Sequence, residues 1–215
     1  MTIPSVGVVE PDDLILAATA VAEAISPVIE GDWSGRAGGI DWTCRQTLDH
    51  VPNALLLYAA HLATRATRGL PAPRDGDLMA SPRRLLGVVV ETAHILASVG
   101  QGVDSSERAF HPAGMADAEG FCAMGCDEIL VHGKDIAVGM GVPFDPPVEL
   151  VARVLARLFP WAPTDVDPWV ALLWANGRTE LPGHGRLDAD WYWQAAPLSE
   201  WDGVPGRRES PPAWS

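Results

Sequence analysis

Apolar positions recur at three- and four-residue spacing in six stretches of this chain, and Gly and Pro punctuate the gaps between them. The first is 12–29, DDLILAATAVAEAISPVI, with Asp12 or Asp13 placed to cap its start and Pro27 to disturb its end. Residues 30–42 follow as a glycine-rich loop that Trp33 and Trp42 pin to the body. Thr43 and Gln46 have the spacing of a capping box, so a second helix runs through 43–66. On it Thr47, His50, Ala54, Leu57 and His61 share a face. Pro52 lacks the N–H that would bond the Leu48 carbonyl, so either the helix kinks beside His50 or its regular part begins near Pro52.

A Pro/Gly loop covers 67–82, and a third helix, SPRRLLGVVVETAHILASVG, closes at Gly100. Residues 101–116 read as polar and irregular. The fourth helix spans 117–140, with Asp117 as its cap and Gly141 as its stop. Residues 148–159 are amphipathic, with Arg153 and Arg157 on one side. A short sixth helix lies within 165–178, with Pro168 in its first turn and Gly177 at its exit. The pattern predicts an all-α fold with a four-helix core and additional C-terminal helices: one domain over 1–180, and an irregular tail over 181–215. The tail either holds short strands or wraps the body.

Composition narrows the partners. With 47% hydrophobic residues among 215, the chain can bury a sizeable core. A formal net charge of -13 argues against nucleic acid or an anionic membrane as a main partner, since both need a basic footprint. The start, MTIPSVGVVEPDD, lacks the basic end and apolar run of a signal peptide, and no apolar run approaches the ~20 residues of a membrane span. Three cysteines without a secretory signal argue against a disulfide scaffold, and the expected location is cytoplasmic. Cys122 and Cys126 read as small core hydrophobes and Cys44 as structural. The oligomeric state is left open.

The chemistry centres on Glu128 and His132. Four residues apart on a helix, they stack one turn apart on one face. Glu-x-x-x-His is common in helices without a metal. Here Phe121 and Gly125 share the face, which is therefore inward, with a small residue where something must approach. A carboxylate in such a place needs a partner or a metal. His50, on a separate helix, is the natural third ligand, unless it packs locally near Pro52. Two imidazoles and one carboxylate suit zinc with an open fourth position, and also iron(II) or nickel. Asp135, three residues after His132, either orients an imidazole or is a solvated charge balanced by Lys134. Asp49 and Asp135 are the candidates for a general base. His61, some three turns beyond His50, belongs to a pocket or the surface; His94 and His111 could line a pocket. Trp191, Tyr192 and Trp193 pack the tail against the helices or face a substrate.

Two segments carry a family resemblance. DWTCRQTLDHVPNALLLYAAHLA is similar to a signature of the DinB-like superfamily, and more closely to the N-terminal domain of mycothiol-dependent maleylpyruvate isomerases. DEILVHGKDIAVGMGVPFDPP resembles the second metal segment of that family, and LLWANGR its late helix. The resemblance covers roughly residues 10–180. It implies a four-helix bundle, a zinc site at His50, Glu128 and His132, and mycothiol as thiol cosubstrate. Lys134 stands where the family carries an aromatic, and Pro52 interrupts the first metal helix. The family's active-site arginine comes from a further C-terminal domain, to which the last 35 or so residues here are dissimilar. Arg178, Arg186, Arg207 and Arg208 are only generic candidates for that role.

The resulting expectation is a zinc-dependent isomerase or S-transferase that uses a thiol against a small electrophile. The alternatives are metal-assisted hydrolysis or rearrangement without a thiol, and a non-catalytic metal or small-molecule binding protein.

Overall fold

Helix α4 (Ala118–Met140) is the axis of the structure, and its composition explains why. From Gly120 to Gly133 every residue is buried, so this helix is enclosed on all sides rather than laid against one layer. Asp117 caps it by accepting the Gly120 N–H at 2.9 Å, and Gly141 ends it in the left-handed conformation at φ 68°. Around it pack α1 (Asp12–Ile25), α2 (Cys44–Thr64), α3 (Pro82–Gly102) and α5 (Val148–Leu158); α6 (Pro168–Ala175) lies against α5. The computed structural model describes residues 7–72, 76–77, 79–188 and 190–208; parts of the 67–82 loop, including Pro73, and both chain ends lie outside them. Among the described residues the protein is mostly helical.

Gly125 has a different purpose from the one its position suggested. A Cβ there would lie 2.7 Å from Leu14, 2.8 Å from Leu96 and 3.1 Å from Leu55. What approaches is the hydrophobic core of three neighbouring helices, not a ligand. Cys44, Cys122 and Cys126 are buried and free, as expected of core residues.

Several boundaries depart from the periodic pattern. Helix α2 starts at Cys44, behind a complete Thr43–Gln46 capping box, and continues through Pro52 to Thr64. Helix α1 stops at Ile25, and Pro27 sits in a 3-10 turn, Ser26–Val28. Neither Asp12 nor Asp13 caps α1. Asp13 instead accepts the Glu10 N–H at 3.0 Å and pairs with Arg153 of α5 at 2.5 Å. The stretch read as irregular holds an antiparallel hairpin, β1 (Ala109–His111) and β2 (Gly114–Ala116), which pairs Phe110 with Met115. Strands of three residues are too short to show a period of two.

The tail wraps the body. Trp191 and Trp193 are buried, and Trp191 forms an isolated bridge with Arg207. Arg157, 2% exposed, secures this segment: its guanidinium donates to Asp117 at 2.7 Å and to the carbonyls of Gln194 at 2.8 Å and Ala195 at 3.1 Å. One charge thus joins α5, the α4 cap and the tail. Helix α3 is long and apolar enough by composition to cross a membrane. Leu85, Leu86, Val89, Ala93, Leu96 and Ala97 are buried in the core.

Candidate metal centre

His50 projects from α2 toward two side chains of α4, and these are Glu128 and His132. Nε2 of His50 lies 3.4 Å from Oε2 of Glu128, and Nε2 of His132 lies 3.3 Å from the same oxygen. One ligand atom from each of the three falls within 4.8 Å of the others, so the group could hold a metal ion. The imidazoles meet edge to face, with centroids 5.2 Å apart at 82°. An Nε2–H on each imidazole would satisfy both contacts, and so would a metal ion shared by the three groups. Zinc bonds of ~2.0–2.1 Å at tetrahedral angles set ligand atoms roughly 3.3 Å apart, and the two nitrogen–oxygen distances match that edge. Two imidazoles and a carboxylate suit zinc, iron(II) or nickel alike, and the donor set does not choose among them.

The surroundings fix each ligand. Tyr58, two turns beyond His50 on α2, donates its hydroxyl to Oε1 of Glu128 at 3.0 Å, leaving Oε2 to the imidazoles. Burial, and then the Glu128 charge, raise the Tyr58 pKa and keep that proton in place. Burial works against the Glu128 carboxylate, but hydrogen bonds to His132 and His50 outweigh it and hold its pKa well below the usual range. Burial likewise opposes charge on His132, yet Asp135 and Glu128 push its pKa up to about 8.

Asp135 is not a solvated charge. It is 3% exposed, its Oδ2 lies 3.1 Å from Nδ1 of His132, and Arg178 donates to it at 2.9 Å. Lys134 turns away, toward the Phe144 carbonyl at 3.3 Å. A carboxylate on Nδ1 fixes the ring so that Nε2 presents its lone pair to the metal position. Asp135→Asn is expected to lower zinc affinity about 10–100-fold, read by competition with a chromophoric chelator on variant protein shown to be folded by circular dichroism. Asp49 serves another purpose: its Oδ2 accepts the Asp77 N–H at 3.1 Å, holding the 67–82 loop to α2.

His50 and Glu128 line a cavity of about 440 Å³. The helical face read from the sequence forms one wall, with His50, Ala54, Leu57 and His61. The hairpin contributes Phe110 and His111, and the tail contributes Tyr192, Trp193 and Arg208. Arg208 stacks on Tyr192 and Trp191 at 4.5 and 4.9 Å and donates to the Trp191 carbonyl at 2.9 Å. Burial lowers its pKa, and no carboxylate pairs with it among the described residues. A larger cavity of about 600 Å³ reaches Asp135 and Arg178 but none of the three ligands. The smaller one is where a molecule could meet the metal.

Trp42 was expected only to anchor a loop. It packs against both imidazoles, 4.8 Å from His50 and 6.3 Å from His132. Tyr58 carried a usable signal, since it continues the His50–Ala54 spacing by one further turn. Arg178 serves Asp135 and is the one generic arginine held at a ligand's partner. Arg186 and Arg207 are exposed. His61 and His111 line the cavity, whereas His94 is exposed on α3 and does not. Comparison with protein-family models, curated proteins and solved structures gave no match for this chain.

Proposed function

We propose that the protein is a zinc-dependent isomerase or S-transferase that uses a small thiol, mycothiol or a close equivalent, against a small electrophilic metabolite. The observation that carries this reading is the convergence of His50, Glu128 and His132, with His50 and Glu128 at the wall of a cavity. An open metal position facing a cavity suits a catalytic site rather than a structural one. The mutual packing of helices α1 to α4 supports a helical-bundle reading, and the convergence of His50, Glu128 and His132, the residues that the resemblance names, supports the metal reading.

When bound, zinc supplies the charge that favours thiolate over thiol at neutral pH. The chain's own groups do the rest. His50, Glu128 and His132 hold the ion; Tyr58 and Asp135 fix the orientation of Glu128 and His132. The apolar wall of Ala54, Leu57, Leu70 and Phe110 keeps water from the nucleophile. Arg208 places a positive charge beside the site and favours an anionic electrophile. Hydrolysis would need a general base, and both carboxylate candidates are engaged elsewhere, Asp49 by Asp77 and Asp135 by His132 and Arg178.

The test is cobalt substitution followed by addition of a low-molecular-weight thiol. A near-ultraviolet thiolate-to-metal charge-transfer band is expected in the wild type and not in His50→Ala. A cobalt-loaded protein that shows no such band with any thiol, mycothiol included, overturns the thiol reading.

A further inference from the structure

The cavity beside the metal ligands carries two more imidazoles, and the backbone decides where each keeps its proton. Nδ1 of His111 accepts the Ala113 N–H at 3.1 Å across the hairpin turn, which leaves the ring proton on Nε2. Nε2 of His61 accepts the Leu70 N–H at 3.0 Å, which leaves the proton on Nδ1. Both rings are neutral at physiological pH: burial pushes His111 down to about 4, and it lowers His61 as well. Neither N–H has an acceptor among the described residues, and His61 Nδ1 is fully buried. His111 is caged by Tyr58 at 5.4 Å, Trp193 at 5.6 Å and Phe121 at 6.3 Å, so its ring is held in place. Tyr58 in turn holds Glu128, so one side chain separates His111 from the metal ligands.

A preset, neutral donor at the wall of a cavity has a specific use. It stabilises negative charge that develops on an oxygen during reaction, and it needs no rearrangement to do so. We propose that His111 is the oxyanion donor of this site, its Nε2–H receiving the carbonyl oxygen of an α,β-unsaturated carbonyl substrate. The proposal rests on the thiol-addition reading above. In the step it serves, the thiolate sulfur forms a bond to the β carbon. The C=C pair shifts to the adjacent C–C bond, and the C=O pair moves onto oxygen. The enolate oxygen then accepts the hydrogen bond from His111, which transfers no proton. Rotation about the former double bond, followed by return of the electron pair, expels the thiolate and restores the carbonyl.

The test uses the full chain labelled with 15N-histidine and cyclohex-2-en-1-one as the carbonyl probe, with no thiol added. The three cysteines are buried, and burial raises the thiol pKa of each, so they do not consume the enone. In the free protein, His111 is expected in the Nε2–H form and His61 in the Nδ1–H form. On adding enone, the His111 Nε2–H resonance moves downfield and the infrared carbonyl stretch of the bound probe falls. His111→Phe removes the carbonyl shift and weakens probe binding about tenfold. His111→Gln, which keeps an N–H donor, retains part of the shift and controls for loss of the hairpin contact.

The measurement is made with and without zinc. A His111-dependent shift that persists without metal supports the donor assignment even if the thiol chemistry fails. A protein that binds zinc and thiol but shows an unmoved His111 resonance overturns the assignment alone. So does a carbonyl shift that vanishes with the metal, or a probe that never binds.

Discussion

Glu128→Gln is expected to lower zinc affinity by at least about a hundredfold and to leave the protein folded. The side chains have nearly the same shape, and the glutamine oxygen still accepts the Tyr58 hydroxyl that now holds Oε1 at 3.0 Å. What is lost is the charged oxygen on which both imidazoles converge, at 3.4 and 3.3 Å. A four-ligand structural zinc site binds with about 10–16 kcal/mol, or roughly 3 kcal/mol per ligand, which corresponds to a factor of about a hundred. Competition titration gives the affinity, and circular dichroism reports whether the metal-free variant remains helical. Wild-type affinity in Glu128→Gln contradicts the ligand assignment.

The second large effect concerns Arg157, far from the metal in role although it holds the same helix. Arg157→Leu is expected to destabilise the protein by about 3–5 kcal/mol, read from urea unfolding. The substitution leaves the Asp117 carboxylate without its buried cation, and the carbonyls of Gln194 and Ala195 without a donor. The tail is held to the body through these bonds, and Trp193 on that tail donates to Asp127 of α4 at 3.0 Å. Burial raises Asp127 to about 7, tempered by the hydrogen bonds from Asn176 and Trp193, so it is poorly placed to lose either donor. Adding Asp117→Asn to Arg157→Leu should recover part of the loss, because Asn still caps a helix and carries no charge. An Arg157→Leu protein as stable as the wild type contradicts this account of the tail.

Much of the helical framework was legible because its signals are local. Thr43 with Gln46, Asp117 with Gly141, and Pro168 with Gly177 mark three helices in the sequence, and all three form there. Glu128 and His132 were legible as a pair for the same reason, since a four-residue spacing on a helix is a statement about neighbours. His50 is a long-range partner, and its placement beside them is a property of how α2 packs on α4. The hairpin escaped because three-residue strands have no period to read, and with it went the role open to His111. Asp13 looked like a cap because Asp at a helix start usually is one; a cation 140 residues away claimed it instead. Arg157 carried no signal at all. A polar position on an amphipathic helix is expected to face solvent, and only the tail folded over it buries it.

The central claim is that His50, Glu128 and His132 hold a metal with an open position. The X-ray absorption spectrum of zinc-loaded protein, recorded before and after addition of thiol, tests it most directly. The predicted first spectrum shows two imidazole nitrogens and oxygen at ~2.0–2.2 Å and no sulfur; the second adds one sulfur at ~2.3 Å. A protein that retains no zinc, or a spectrum with cysteine sulfur before any thiol is added, contradicts it.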